Sequence, residues 1–323
     1  MNLAFAPERI EMWPLARLQP YAKNAKVHGP DQVAKIAASM AEFGWTVPCL
    51  VGDDGELIAG HGRVLAATQL GLTEAPVIVL GHRTVRTPYM REIMDRLSAG
   101  DTMQRIVFMK AAQVGATEAG NNWIGFAIHQ APGPMLAVQP TVELAKRNSR
   151  QRIDPLIDES PELRERVKPA RSRDAGNTML SKEFAGGILI MTGANSAVGL
   201  RSTPARYIFL DEVDAYPASA DEEGDPVTLA EARSLTFAHR RKVLLVSTPT
   251  IRGLSRIERE YEVSDQRRYF VPCPHCGAMQ WLKFDRLRWQ KGKPETAEYH
   301  CEGCDAAITE HHKTAMLEGG EWR

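Results

Sequence analysis

The 323-residue sequence predicts an α/β protein whose largest part is a parallel sheet covered by helices. A small α+β unit precedes it and a cysteine-bearing module follows. Three observations predict this. Between about Thr87 and Pro249, short, nearly continuous apolar runs alternate with helical stretches, as strands buried on both faces do. Ahead of them, strand-like and helical periodicities follow one another over shorter spans. Behind them, four of the chain's five cysteines fall in two CxxC pairs. The boundaries expected are 1–82, 83–266 and 267–323.

In the first unit a strand is expected near Ile10. A helix follows from Asp31 to Phe43, with Val33, Ile36, Ala37 and Met40 at helical spacing. Cys49–Val51 and Leu57–Ala59 are apolar runs around Asp53-Asp54-Gly55, a hairpin signal. A helix from Val64 to Leu70 and a strand from Pro76 to Leu80 close the unit. In the middle unit the expected strands are Arg105–Met109, Met135–Val138, Ile188–Met191, Tyr207–Leu210 and Val243–Val246. The sequence has no internal repeat and no low-complexity tract.

Composition narrows the function classes only broadly. Hydrophobic residues make up 43% and charged residues 25%, ordinary for a soluble globular chain. Formal net charge is zero, so no global field advertises nucleic acid. Arg252 to Lys293 holds ten Lys/Arg against five Asp/Glu, interleaved with Tyr261, Tyr269, Phe270, Trp281, Phe284 and Trp289. That stretch reads either as a solvated surface over a small core or as a DNA-facing surface. No apolar run approaches the ~20 residues of a membrane helix, and the first residues lack the basic-then-apolar order of a secretion signal. A cytoplasmic location without membrane contact is expected.

Lys110 to Glu118, KAAQVGATE, follows the apolar Ile106–Met109 and reads as a phosphate loop with a displaced lysine. Such a loop surrounds phosphates with backbone N–H groups and a helix N-terminus, here those of Ala111, Ala112, Gln113, Val114, Gly115 and Ala116. Gly115 supplies the turn and Thr117 a hydroxyl for Mg²⁺. The usual lysine slot holds Ala116, and Lys110 stands at the first position instead. The second piece is Asp211-Glu212, acids at the end of the apolar run Tyr207–Leu210, where a parallel sheet binds its ligand. Asp211 suits Mg²⁺ through water, and Glu212 suits orienting and deprotonating the attacking water. The third is Ser247-Thr248 at the end of another buried run. Each piece alone is weak; the three in this order predict ATP hydrolysis.

Cys273, Cys276, Cys301 and Cys304 form two CxxC knuckles separated by 24 residues. Four thiolates at that spacing suit one tetrahedral Zn²⁺ of structural role. Each knuckle carries a glycine at or next to its second cysteine, Gly277 and Gly303.

From Thr87 to Arg323 the sequence resembles the large terminase subunit of tailed phages, specifically the lambda-type family. The matching segments are TPYMREIMDRLS (Thr87–Ser98), KAAQVGATE, AVQPT (Ala137–Thr141), TGANSAVGLRSTPARYIFLDEVDAYP (Thr192–Pro217), VLLVSTPT (Val243–Thr250) and CPHCG (Cys273–Gly277). The resemblance implies an ASCE-class P-loop motor that drives double-stranded DNA into a procapsid. It also implies a homo-oligomer working with a small terminase subunit and a portal. The family's displaced lysine falls on Lys110, and its adenine-side motif on Thr87, Pro88 and Tyr89, with Tyr89 stacking on the base. Arg201, Arg206 and Arg147 are the candidates for an arginine finger. The family's C-terminal nuclease domain would begin near Gly320–Arg323, so no DNA cleavage is expected of this chain.

Residues Arg9 to Leu80 resemble the ParB-like N-terminal domain through PLARLQPYAKNAKVH (Pro14–His28), EFGWTVPCLV (Glu42–Val51) and LIAGHGRVLAATQLGL (Leu57–Leu72). Gly60, His61, Gly62 and Arg63 form a turn before a helix, a place for a phosphate. His61 stands where sulfiredoxin-like relatives carry their catalytic cysteine, which argues against that activity. Two alternatives to the packaging motor are a ParB-like DNA- or nucleotide-binding protein with a vestigial ATPase region, and another ASCE DNA translocase or helicase.

Overall fold

A computed structural model describes residues 11–20, 29–45, 47–52, 55–80, 87–167 and 177–323. The chain divides into two compact units, Met1–Arg86 and Thr87–Arg323. The expected strand residue Ile10 and the turn residues Asp53 and Asp54 lie outside the described residues.

The first unit runs β1 (Glu11–Pro14), β2 (Gln19–Pro20), α1 (Pro30–Phe43), β3 (Cys49–Gly52), β4 (Glu56–Ala59), α2 (His61–Gln69) and β5 (Glu74–Leu80). Its mixed sheet has the order β1-β5-β3-β4-β2. Trp13, Leu18, Cys49, Val51, Leu57, Ala75 and Val77 form its core. Pro30 starts α1, where its missing N–H costs nothing, and Gly44 (φ +74°) stops it. Helix α2 begins three residues before the sequence expectation. Gly60, at φ +113°, turns the chain straight from β4 into the helix, and a Cβ there would sit 2.5 Å from the Cys49 sulfur.

The second unit contains α3 (Tyr89–Arg96), β6 (Arg105–Met109), α4 (Ala116–His129), β7 (Met135–Gln139) and α5 (Val142–Asn148). A π-helical turn leads into α6 (Asp154–Glu159), followed by α7 (Pro161–Arg166), β8 (Ser181–Phe184), β9 (Gly187–Gly193), α8 (Ala197–Arg201) and β10 (Tyr207–Asp211). Then come α9 (Pro226–Glu231), β11 (Lys242–Ser247) and α10 (Arg256–Glu262). The sheet order is β6-β11-β10-β7-β9-β8. Five strands are parallel, but β8 runs antiparallel to β9. The expectation of an all-parallel sheet is corrected at this edge. Only Ala185 and Gly186 (φ +90°) join the two strands, too few for a crossover, and the polar SKEF of β8 carries no buried-strand pattern.

The central strands alternate between two apolar layers. Phe209, Leu244, Val246, Met135 and Ala137 face one cluster with α4, while Ile208, Leu210, Val243, Leu245 and Leu136 face the other. Helix α4 lies close on β10 because Gly120 has no Cβ; one placed there would stand 2.0 Å from the Phe209 ring.

The cysteine-bearing segment belongs to this second unit. It forms two three-stranded sheets, built from β12 (Tyr269–Pro272), β13 (Met279–Trp281), β14 (Leu287–Gln290), β15 (Lys293–His300), β16 (Ala307–Ile308) and β17 (Glu321–Trp322), with α11 (Lys313–Glu318) between the last two strands. It is fastened to α3 and β6. Arg267 pairs with Glu92, the Trp322 indole N–H donates to the Tyr89 carbonyl at 2.9 Å, and the Trp322 ring meets Phe108 edge-on. Among the described residues, no helix is long and apolar enough to cross a membrane.

Candidate active site and cysteine centre

Strand register brings the candidate residues to one edge. Met109 opposes Ser247, Val246 opposes Asp211, and Leu210 opposes Val138, so the carboxyl ends of β6, β11, β10 and β7 align. The loop from Lys110 to Gly115 leaves β6 and enters α4 at Gly115, whose φ of +86° is left-handed; Gln113 is also left-handed at +58°. Ala111, Ala112, Gln113 and Gly115 are exposed, Val114 is half-buried, and Ala116 is buried.

Lys110 is 9% exposed. Its ammonium lies 2.7 Å from Glu212 Oε1 and 3.0 Å from Thr248 Oγ1, and its backbone N–H donates to the Ser247 carbonyl at 3.0 Å. Thr117 donates to Asp211 Oδ1 at 3.1 Å, which joins the two residues expected at a magnesium ion. Burial pushes the Asp211 carboxyl up to about 6, against hydrogen bonds from Gln139 and Thr117 that favour its charged form. Glu212 stands at φ +53°, a left-handed conformation that a non-glycine residue holds only with support from its neighbours. Ser247 is fully buried; its hydroxyl lies 3.5 Å from Glu212 Oε2 and accepts the Asp214 N–H.

Two residues were missed by sequence reasoning. Gln139 ends β7 and donates to Asp211 Oδ2 at 3.1 Å. The usable signal was a polar residue closing a fully buried strand, in the same position as Asp211 and Ser247. Asp214, two residues beyond Glu212, accepts hydrogen bonds from the Thr250 N–H and hydroxyl and from the Ile257 N–H. Burial raises its carboxyl, but these bonds and one from Ser255 outweigh burial and hold it below the usual range.

Tyr89 is half-buried beside the loop. Its hydroxyl donates to the Val114 carbonyl at 3.1 Å and its ring meets Tyr269 edge-on. The arginine-finger candidates are spread out. Arg206 precedes β10 at the edge opposite Asp211 and stacks on Tyr207, Arg201 pairs with Glu223, and Arg147 is exposed on α5.

The four predicted cysteines converge. Their sulfurs all lie within 4.8 Å of one another, with Cys273 to Cys304 at 3.9 Å and Cys276 to Cys301 at 3.8 Å. A tetrahedral zinc with bonds of about 2.3 Å sets sulfurs about 3.8 Å apart, so the cluster has the size for that ion. Burial opposes ionisation of Cys301, but hydrogen bonds from the Cys304 and Gly303 N–H groups outweigh it and bring its thiol down to about 6. Cys276, despite a bond from the Ala278 N–H, is pushed up to about 12 by the thiols around it. Four thiolates cannot ionise together without a cation, and Zn²⁺ fits these residues. The left-handed turn residues are Gly277 (φ +73°) and Asp305 (φ +54°), while Gly303 donates its N–H to Cys301 Sγ.

In the first unit, Gly60, His61, Gly62 and Arg63 open α2 as expected, but the Arg63 guanidinium is engaged by the carbonyls of Val47 and Pro48.

Known proteins match both units. Residues 79–322 match the family described as phage terminase large subunit gpA, ATPase domain. The terminase large subunit of Enterobacteria phage P21 is 28% identical over 243 residues, covering 73% of this chain and 37% of that protein. That of Escherichia phage lambda is 28% identical over 223 residues, covering 67% and 34%. The chain thus spans little more than a third of the length of these relatives. The ParB-like nuclease domain-containing protein YnaK of Escherichia coli K12 is 52% identical over 76 residues at the N-terminal region, covering 24% of this chain and 87% of that protein. The chain belongs to the phage terminase large subunit gpA ATPase-domain family and, through its N-terminal unit, to the family of this ParB-like protein.

Proposed function

We propose that residues 83–266 are the ATP-hydrolysing motor of a phage DNA-packaging terminase large subunit, an ASCE-type P-loop domain moving double-stranded DNA into a procapsid. Residues 1–82 are its ParB-like unit and 267–323 its zinc ribbon. The observation that carries the reading is the meeting of Lys110, Thr117, Asp211, Glu212 and Thr248 at the carboxyl ends of adjacent parallel strands.

Thr117 and Asp211 would hold Mg²⁺, which when bound would neutralise charge on the phosphates. The N–H groups from Ala111 to Ala116 surround the phosphates, and Tyr89 flanks the base. Lys110 and Glu212 neutralise each other at 2.7 Å. A γ-phosphate competes for the ammonium, and Glu212 is then free to orient the attacking water and take its proton. Ser247 and Thr248, at the end of β11, report the γ-phosphate to the rest of the domain.

The zinc ribbon braces Tyr89 through Trp322 and Tyr269. The motor works as a homo-oligomer in the host cytoplasm, with a small terminase subunit and the portal of the procapsid. The ParB-like unit either docks the motor on DNA or a partner, or binds a nucleotide phosphate at Gly60–Arg63. The test is ATP hydrolysis by the full chain with and without double-stranded DNA. Hydrolysis should be stimulated by DNA and lost in both Lys110→Ala and Glu212→Gln; hydrolysis that survives both changes overturns the site.

A further inference from the structure

Asp214 has no assigned role at the nucleotide, yet its hydrogen bonds join the segments that follow β10 and β11. Its carboxylate accepts the Thr250 N–H and hydroxyl, both at 3.0 Å, and the Ile257 N–H at 2.7 Å; the Ser255 hydroxyl also bonds to it. Its own N–H donates to Ser247 Oγ at 3.2 Å, and that hydroxyl also faces Glu212. One residue therefore ties the turn after β10 to the loop after β11.

Arg256 returns the connection. It lies beside Ile257, and its guanidinium donates to the carbonyls of Val213 at 2.6 Å and Pro217 at 3.0 Å. Asp225 pairs with the same guanidinium at 3.1 Å, and the Tyr216 hydroxyl donates to the Val138 carbonyl on β7. The turn from Glu212 to Pro217 is thus held on both sides.

Two features of the site depend on that grip. Glu212 occupies a left-handed conformation that needs support from its neighbours, and it leads directly into the Val213–Ala215 turn. Thr248, which accepts from Lys110, lies two residues before Thr250. Releasing the Asp214 carboxylate removes the tie between the Glu212 turn and Thr250, leaving the Arg256 contacts and the Asp214 N–H bond to Ser247. The triangle of Lys110, Glu212 and Thr248 loses its fixed shape, while the phosphate loop, Thr117 and Asp211 keep their own bonds.

We infer that Asp214 is a positioning residue that locks the Glu212 turn to the Ser247–Thr250 strand end, so that the water-activating carboxylate and the γ-phosphate reporter move as one body. The inference rests on Glu212 being the hydrolytic base.

The experiment measures kcat, KM for ATP and thermal stability of the full chain in Asp214→Asn, Thr250→Ala and the double variant. An asparagine keeps the shape but turns an NH₂ toward one of the donors from Thr250 or Ile257. Expected for D214N is a fall in kcat of about tenfold or more with KM changed less than about twofold, since the lost interaction acts only in the transition state. T250A removes a single hydroxyl bond, and a fall of about threefold is expected. The double variant should be no slower than D214N, because both changes cut one connection.

An unchanged kcat in D214N, or equal damage to kcat, KM and stability, overturns the inference, as does full additivity in the double variant. If D214N does not fold, T250A alone decides, requiring its threefold loss at constant KM. The underlying reading fails separately: Glu212→Gln that still hydrolyses ATP removes the base itself, whereas an inactive E212Q with a normal D214N removes only the latch.

Discussion

Asp211→Asn should make the protein more stable while abolishing its hydrolysis. Asp211 is 2% exposed, and its carboxyl is raised from an unfolded-state value of 3.8 to about 6. Between those values the native chain holds a proton that the unfolded chain has released, so native stability falls as pH rises through that window. Above about pH 7 the loss is complete. About two pKa units at ~1.36 kcal/mol each make it about 3 kcal/mol. Asparagine carries no such charge. It can still accept from Thr117 through its oxygen, and a flipped Gln139 amide can present its own oxygen to the new NH₂.

The gain of D211N over the unsubstituted chain should therefore be near zero at pH 4 and rise to about 1–3 kcal/mol by pH 7.5. Denaturant unfolding of both proteins without nucleotide or Mg²⁺, between pH 4 and 8, reads it directly; unfolding steps common to both proteins cancel in the difference. A variant less stable than its parent at pH 7.5, or a difference that does not change with pH, refutes the reasoning. The buried charge would then be compensated within the protein.

Two further outcomes follow from close approaches and from the cysteine cluster. Gly120→Ala drives a methyl to 2.0 Å from the Phe209 ring, so α4 must shift off β10; a loss of about 1–3 kcal/mol or more in unfolding free energy is expected, together with weaker nucleotide binding as Thr117 moves from Asp211. Blocking the cysteines with a thiol reagent should release one zinc per chain, read by a colorimetric chelator. The same treatment should raise KM for ATP by about three- to tenfold with little change in kcat, because Tyr89 loses the Trp322 and Tyr269 braces but not its place in the chain.

The parts of this fold legible in the sequence are those where one segment decides its own fate. A run such as Tyr207–Leu210 is apolar at every position because the strand is covered on both faces, and acids directly after it must lie at the sheet's ligand edge. Edge strand β8 escaped because its sequence, SKEF, is half-wet and its existence depends on a hairpin with β9. Gln139 escaped because one amide at a strand end has no periodicity to betray it. Asp305 escaped because a left-handed aspartate after the second knuckle has no composition signal of its own. Asp214 was visible as a letter in the acidic motif, but its partners Thr250 and Ile257 lie 36 and 43 residues away. Long-range hydrogen bonds of that kind carry no local signature.

The displaced lysine is better explained by the packing of the loop than by the motif it departs from. Ala116, in the usual lysine slot, is 3% exposed and belongs to the apolar cluster that holds Phe108, Leu244 and Val246 beneath the helix. A lysine stem there would have to leave that cluster or carry its charge into it, and an unpaired buried ammonium is costly. Lys110 enters from the other direction. Its backbone is hydrogen-bonded to Ser247 on the neighbouring strand, so its side chain starts at the sheet's edge and needs no room beneath the helix. From there the ammonium reaches Glu212 and Thr248, the ends of β10 and β11, rather than the helix start. The positive charge is thereby tied to the two strands that Asp214 joins, and a phosphate that draws Lys110 away acts on both strand ends at once.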